Sequence, residues 1–340
     1  MKKNSLIILF FLASLLALFL SCVVGAVHLS LAEIFNSISK TLFSGNELNL
    51  HENIFINIRF PRALLSFVVG ASLAIGGVLM QGLFRNPLIE PGLIGTSSGA
   101  ALGASFYFLS SNILATVFPY WTLPICAFIG SLLATLSTTG INSSNEKSKS
   151  STTQLLLTGI AVNAICMSLV GILSFFARDP QARSITFWGL GSLASANWKI
   201  VTTCTLTLVI GCFMAIKNAK SIDALQLGEK EAFLLGIRIK KLRISIIVTN
   251  VILIGIATSF VGVISFLGLI IPHILRGLGI LQTKQLVLAA ALLGGTVLCL
   301  SDIVSRIIIA PTEIPIGIIT ALLGAPIFIY LIRTKNEFLA

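Results

Sequence analysis

Charged side chains are scarce in this sequence. Only 10% of its 340 residues are Asp, Glu, Lys or Arg, against 56% apolar residues. A soluble domain carries roughly 25% charged residues, so a water-filled exterior over the whole chain is excluded. Alternating apolar and polar stretches of about ten residues are missing too, which excludes a membrane β-barrel. There is no G-x-x-x-x-G-K-[ST] run. If nucleotide powers the protein, another chain binds it. Six cysteines (22, 126, 166, 204, 212 and 299) sit inside apolar runs, with no C-x-x-C pair and no neighbouring histidine. They read as small packing residues and exclude a metal cluster or a disulfide framework. His28, His51 and His273 are scattered and make no metal site. Acidic residues are almost absent from the apolar runs: of twelve Asp and Glu, Asp302 alone sits deep in one. Ion-coupled carriers keep ionisable groups at mid-membrane, so a secondary carrier is disfavoured. An intramembrane enzyme is disfavoured by the lack of a nucleophile–base set.

What is present is a series of apolar runs near 5–27, 62–83, 96–113, 118–140, 153–177, 198–216, 243–262, 267–282, 286–309 and 314–333. A run of about 20 apolar residues crosses a hydrocarbon core of about 30 Å. Backbone polar groups must be satisfied within each run there, so the runs are helices. The expected fold is an all-α polytopic membrane protein of about ten transmembrane helices. The first run follows Lys2 and Lys3 and passes Leu20-Ser21-Cys22, the pattern of a lipoprotein-type leader. It continues apolar to Val27 and more spans follow, which favours an uncleaved first helix. The net charge of +11 invites a nucleic-acid reading. Placing both termini in the cytoplasm instead puts 16 of the 23 Lys and Arg on the inner side, as the positive-inside rule requires.

Three connecting segments exceed what connection needs: 28–58 and 178–197 on the outer side, and 217–242, the most charged stretch, inside. The inner loop reads as a short helical pair, Asp223 to Leu227 and Glu229 to Leu235, with Gly228 between them and Gly236 after. Leu225, Leu227, Phe233 and Leu235 are apolar residues on a loop too polar to enter the bilayer, which marks an interface. The third run carries Gly95, Gly99 and Gly103 at four-residue spacing, a groove for close helix approach. Gly95-Thr96-Ser97-Ser98-Gly99 also fits G-x-S-x-G, but that motif needs a strand–turn–helix, so no nucleophile is assigned. Two prolines stiffen Asn86-Pro87-Leu88-Ile89-Glu90-Pro91-Gly92 into a rigid inner turn or a gate. Asp302 and Arg306 are four apart on one helix face and so placed to pair.

From these residues a resemblance emerges. Arg59-Phe60-Pro61-Arg62, Val69-Gly70-Ala71-Ser72 with Gln81-Gly82, and Arg85-Asn86-Pro87-Leu88 through Gly99 stand in order. Phe187-Trp188-Gly189-Leu190-Gly191, Leu227-Gly228-Glu229 to Gly236, Gly262 through Leu269, Pro272-His273 and Glu313-Ile314-Pro315 to Pro326 follow. The chain resembles the permeases of type II ABC importers for iron–siderophores, haem and cobalamin over nearly its whole length after the first span. The resemblance implies a single transmembrane permease domain over 1–340 in the inner membrane, ten spans and a homodimer around the pathway. It implies a metal-chelate substrate, a solute-binding protein outside, and two ATPase subunits inside that use the ATP and Mg, so this chain needs no cofactor of its own. The segment at Leu225, Leu227, Gly228, Glu229, Phe233, Leu235 and Gly236 resembles the ATPase-coupling segment. Asn86, Leu88, Thr152 and Thr153 align with positions that constrict the inner mouth. Arg59, Arg62 and Arg306 resemble residues that dock acidic groups of the binding protein. Against docking stands headgroup snorkelling or a pair with Asp302 inside the subunit.

Overall fold

A computed structural model describes residues 3–25, 27, 30–40, 49–110, 120–143 and 152–334. Lys2, His28, Lys147, Lys149 and Lys335, and the side chain of Thr152, lie outside the described residues. Thirteen helices make up the described chain, with no strand among them. They are α1 (Lys3–Val23), α2 (Leu31–Ser39), α3 (Leu50–Phe84), α4 (Thr96–Leu109), α5 (Thr122–Ser143), α6 (Thr152–Phe176) and α7 (Asp179–Gly189). They continue as α8 (Trp198–Leu227), α9 (Glu229–Leu234), α10 (Ile239–Val261), α11 (Leu267–Gly277), α12 (Thr283–Ile307) and α13 (Ile316–Thr334). Seven of these are long and apolar enough to cross a membrane, while α11 and the Ile316–Tyr330 part of α13 are shorter apolar stretches.

α3 is the axis of the bundle. It is buried along almost all of Phe60–Phe84, packed by α8, α11 and α12, with α1 against α12. Small residues make this possible. A side chain at Gly70 would run into the Gly294 carbonyl of α12, and one at Gly77 into the Gly268 backbone of α11. Packing of this closeness replaces the hydrophobic drive that lipid cannot supply. On α5, α6 and α8 the apolar side chains face outward instead, as lipid-facing helices require.

Three expectations are corrected. The outer segment 28–58 is not loop throughout, because Leu50 onward is helix continuous with α3. A π-helical turn at Phe55–Arg59 precedes Pro61, whose missing N–H and ring bulk disturb the normal ladder there. The inner segment 217–242 is not loop from its start, because α8 runs unbroken to Leu227. The eighth run is not a full span. α11 covers 11 residues, about 16 Å at 1.5 Å per residue, roughly half of the hydrocarbon core. Backbone breaks limit it: Gly262 ends α10 at φ 76°, Phe266 stands at φ 71°, and Gly279 turns at φ 84° before α12 begins.

The missing half of α11 has a counterpart. After Arg85, in the left-handed region at φ 50°, the chain does not leave the bundle. It turns back so that Pro91 packs against Gly268 and Asn250 reaches the Pro91 carbonyl. Gly268 lies beside Gly77, two turns before the C-terminal end of α3. Two non-α-helical stretches, 85–95 and 262–266, therefore meet inside the bundle of apolar helices. Irregular backbone is tolerated at membrane depth only where protein buries it or a cavity borders it.

Candidate functional site

The turn at 85–95 is built around its own polar groups. The Asn86 side-chain oxygen accepts the Leu88 N–H at 2.9 Å, an Asx turn that leaves Leu88 46% exposed at the tip. Behind the tip, Ile89 and Ile94 are buried and Pro91–Ile94 form a 3₁₀ turn. Several carbonyls freed by the irregular backbone find side-chain donors. Asn250 gives its amide to Pro91 at 3.1 Å, Asn163 to Leu93 at 2.8 Å, and Thr138 its hydroxyl to Ile94 at 3.0 Å. The Glu90 carboxylate accepts the Phe266 N–H at 3.2 Å and so joins the two stretches. A cavity of about 280 Å³ opens beside this junction, lined by Glu90, Ser97, Ser98, Asn163 and Ser265 among others. Thr153 is exposed in the first turn of α6, the helix whose Gly159 lies against Leu93 of the turn. The glycine seam holds α4 in place. Gly95, Gly99 and Gly103 face Ala134, Gly130 and Cys126 of α5, where a β-carbon at Gly99 or Gly103 would overlap backbone carbonyl oxygen.

Below the turn, α8 ends at Gly228, whose φ of 138° and ψ of 154° belong to glycine, and α9 begins at Glu229. Leu227, Phe233 and Leu235 are 70%, 71% and 65% exposed. Gly236, at φ 81°, ends the segment, and Glu229 lies 3.6 Å from Arg243. Leu225 corrects the sequence reading. It is 2% exposed and belongs to the core, because it sits on the inner face of a continuous helix instead of on a loop. Leu234, 84% exposed, completes the apolar ridge and was missed.

The three arginines are also corrected. They form no open rim: Arg59, Arg62 and Arg306 are 5%, 7% and 9% exposed. Arg59 caps the C-terminal end of α1, donating to the carbonyls of Val23 at 2.7 Å, Cys22 at 3.3 Å and Val27. A cation at a helix C-terminus meets both the free carbonyls and the dipole. Arg62 bridges two acids, with Nη2 at 2.9 Å from Asp302 and Nη1 at 2.7 Å from Glu313. Arg306 approaches Asp302 at 3.1 Å and also donates to the Ser21 hydroxyl at 3.0 Å and the Val24 carbonyl at 3.1 Å. Burial of charge is costly unless it is paired or hydrogen-bonded: Arg62 and Arg306 pair with the acids, and Arg59 is satisfied by the carbonyls at the end of α1. The cluster ties α1, α3, α12 and the segment before α13 at one end of the bundle. Glu313 lies 251 residues from Arg62, so nothing local in the sequence signals the pair.

The geometry is that of a helical membrane protein with a supported turn after α3, an exposed apolar ridge and a locked opposite end. Comparison with known proteins matches it closely. The model of the FecCD transport family covers residues 12–334. The haemin transport system permease protein HmuU of Yersinia pestis is 37% identical over 313 residues, spanning 92% of this chain and 90% of that one. The vitamin B12 import system permease protein BtuC of Yersinia pseudotuberculosis serotype O:1b (strain IP 31758) is 36% identical over 280 residues, 82% of each chain. Among solved structures, an inward-facing transporter assigned to the metal-chelate type of ABC transporter superposes with a TM-score of 0.82. It shares 28% identity over 97% of this chain and 99% of its own. The chain belongs to the FecCD transport family and is a multi-span ABC-importer permease, a transport component and not an enzyme.

Proposed function

We propose that this chain is the permease of a type II importer that moves an iron–siderophore-like metal chelate inward across the cytoplasmic membrane. It works as a homodimer with two ATPase subunits inside and a solute-binding protein outside. The observation that carries the reading is the apolar ridge of Leu227, Phe233, Leu234 and Leu235, exposed on the most charged segment of the chain. Such a ridge faces neither lipid nor core and needs a protein partner. Leu88, at the tip of the braced turn, and Thr153, with Asn86 and Thr152, line the inner mouth between two copies. Both termini lie in the cytoplasm, in keeping with the 16-of-23 charge bias. Since Arg59, Arg62 and Arg306 are consumed inside the subunit, the binding protein meets other groups. Arg178, the N-cap of α7, and Arg183, five residues on, are exposed and fit that face.

Haem or cobalamin is the second reading, favoured by the names of the two relatives. The test is ATP-driven uptake into proteoliposomes holding the permease, its ATPase and its binding protein. Radio-iron ferrichrome, haemin and cyanocobalamin are offered in parallel. Uptake of ferrichrome alone supports the proposal, uptake of haemin or cyanocobalamin alone transfers it to the second reading, and uptake without ATP overturns both.

A further inference from the structure

Gln81 lies near the inner end of α3 and is 2% exposed. Its side-chain amide nitrogen faces three backbone carbonyls: Leu269 at 3.0 Å, Gly268 at 3.2 Å and Ile89 at 3.4 Å. Its amide oxygen accepts from the Arg276 guanidinium. Chemistry fixes that orientation, because the carbonyls can only accept and the guanidinium can only donate. One side chain therefore ties α3 to the Leu88 turn and to the first turn of α11.

The next residue, Gly82, is held from the other direction. Gln226 of α8 donates to the Gly82 carbonyl at 3.2 Å, and Ile222 lies where a side chain at Gly82 would stand, 2.6 Å from a β-carbon placed there. On the same turn of α8, Asp223 accepts the N–H of Thr283 at 2.9 Å and its hydroxyl at 2.5 Å, capping α12. Gln226 directly precedes Leu227, the first residue of the exposed ridge. The ridge thus begins one residue after a side chain bonded to Gly82, and the adjoining Gln81 holds the turn that carries Leu88.

We infer that Gln81, its amide oriented by Arg276, is the positioning residue that makes the Leu88 turn follow movement at the apolar ridge. The inference rests on the importer reading, in which the ridge meets the ATPase. Contiguity alone does not establish coupling, so the readout has to be the coupling itself.

Gln81→Glu is the sharpest variant. It keeps the shape and the pairing with Arg276, but turns the donor into an acceptor facing three carbonyls. The reporter is Leu88→Cys in a chain whose six native cysteines are replaced, assembled with its ATPase in lipid nanodiscs. Labelling by a membrane-impermeant maleimide is timed with and without ATP plus vanadate. In the Gln81 parent the labelling rate changes by about fivefold or more, the lower range of measured couplings. In Gln81→Glu the ratio falls to near one, while ATPase co-purification and ATP hydrolysis persist. A role in filling space would leave the ratio unmoved. If Gln81→Glu does not assemble, Arg276→Gln probes the same link from a partly exposed position, and it should lower the ratio. A Gln81→Glu or, failing that, an Arg276→Gln complex that keeps the parent ratio overturns the Gln81 link alone. A parent whose labelling ignores ATP overturns the importer reading and this inference together.

Discussion

Replacing Asp302 with Asn tests whether the buried cluster is a structural lock. Asp302 is fully buried and lies within 3.1 Å of both Arg62 and Arg306. The amide keeps the shape and removes one charge, so the four ion-paired groups Arg62, Arg306, Asp302 and Glu313 go from balance to a net positive charge. Breaking a buried pair by removing one partner costs about 3–5 kcal/mol. The lower end applies here. Arg62 keeps both oxygens of Glu313, at 2.7 and 2.9 Å, and Arg306 keeps its bonds to Ser21 and Val24. A loss of about 3 kcal/mol is therefore expected, about a 150-fold shift in the folding equilibrium. The measurement is unfolding of the purified chain in mixed micelles by sodium dodecyl sulfate, followed by circular dichroism. A double-mutant cycle with Arg62→Gln isolates the pair, and coupling should exceed about 1 kcal/mol. A loss below about 1 kcal/mol with coupling near zero would refute the lock, and would return Arg62 to the surface role that exposure denies it.

The remaining expectations follow the same geometry. Gly99→Val drives a side chain into the Gly130 carbonyl of α5; it should cost about 1–3 kcal/mol or more in the same titration, and a wild-type curve would contradict the seam. Leu227→Asp with Phe233→Asp should release the ATPase in pull-down without unfolding, because both side chains are exposed, and retained binding would remove the ridge as the docking surface. Leu225→Asp should instead lower folded yield, since it buries an unpaired carboxylate, and a fully folded Leu225→Asp protein would contradict that placement. Leu88→Ala with Thr153→Gly should raise ATP-independent leak of preloaded chelate from vesicles, and an unchanged leak would move the gate elsewhere.

The spans were legible in the sequence because an apolar run of about 20 residues has one stable fate in lipid. The glycine seam was legible because its four-residue period is local. Failures came where the partner is distant or the backbone breaks. Arg62 read as a surface cation because its partners Asp302 and Glu313 lie 240 and 251 residues away, beyond any periodic signal. The pairing of Asp302 with Arg306, four apart, was open to view for the opposite reason. The eighth run kept its apolar composition past Gly277, so hydropathy could not reveal that Gly262, Phe266 and Gly279 confine the helix to half a membrane. Leu225 and Leu227 differ by two residues, a difference that matters only once the segment is known to be helix. Successive residues on a helix turn by about 100°, so the two leucines point to opposite sides.

The amides deep in the bundle give the inner turn its mechanical character. Gln81, Asn163 and Asn250 each break an apolar run, and each spends its donor on a carbonyl that a regular helix would have satisfied itself. In lipid such a carbonyl left alone costs several kcal/mol, so the irregular backbone and the amides are required together. The support is uneven along the turn. Residues 89 to 94 are held by side chains from α3, α5, α6 and α10, whereas the tip at Leu88 is held only by Asn86 of the turn itself, among the hydrogen bonds found here. Under the importer reading proposed above this turn is the gate, and the donors hold residues 89 to 94 inside the bundle while Leu88 stays exposed at the tip.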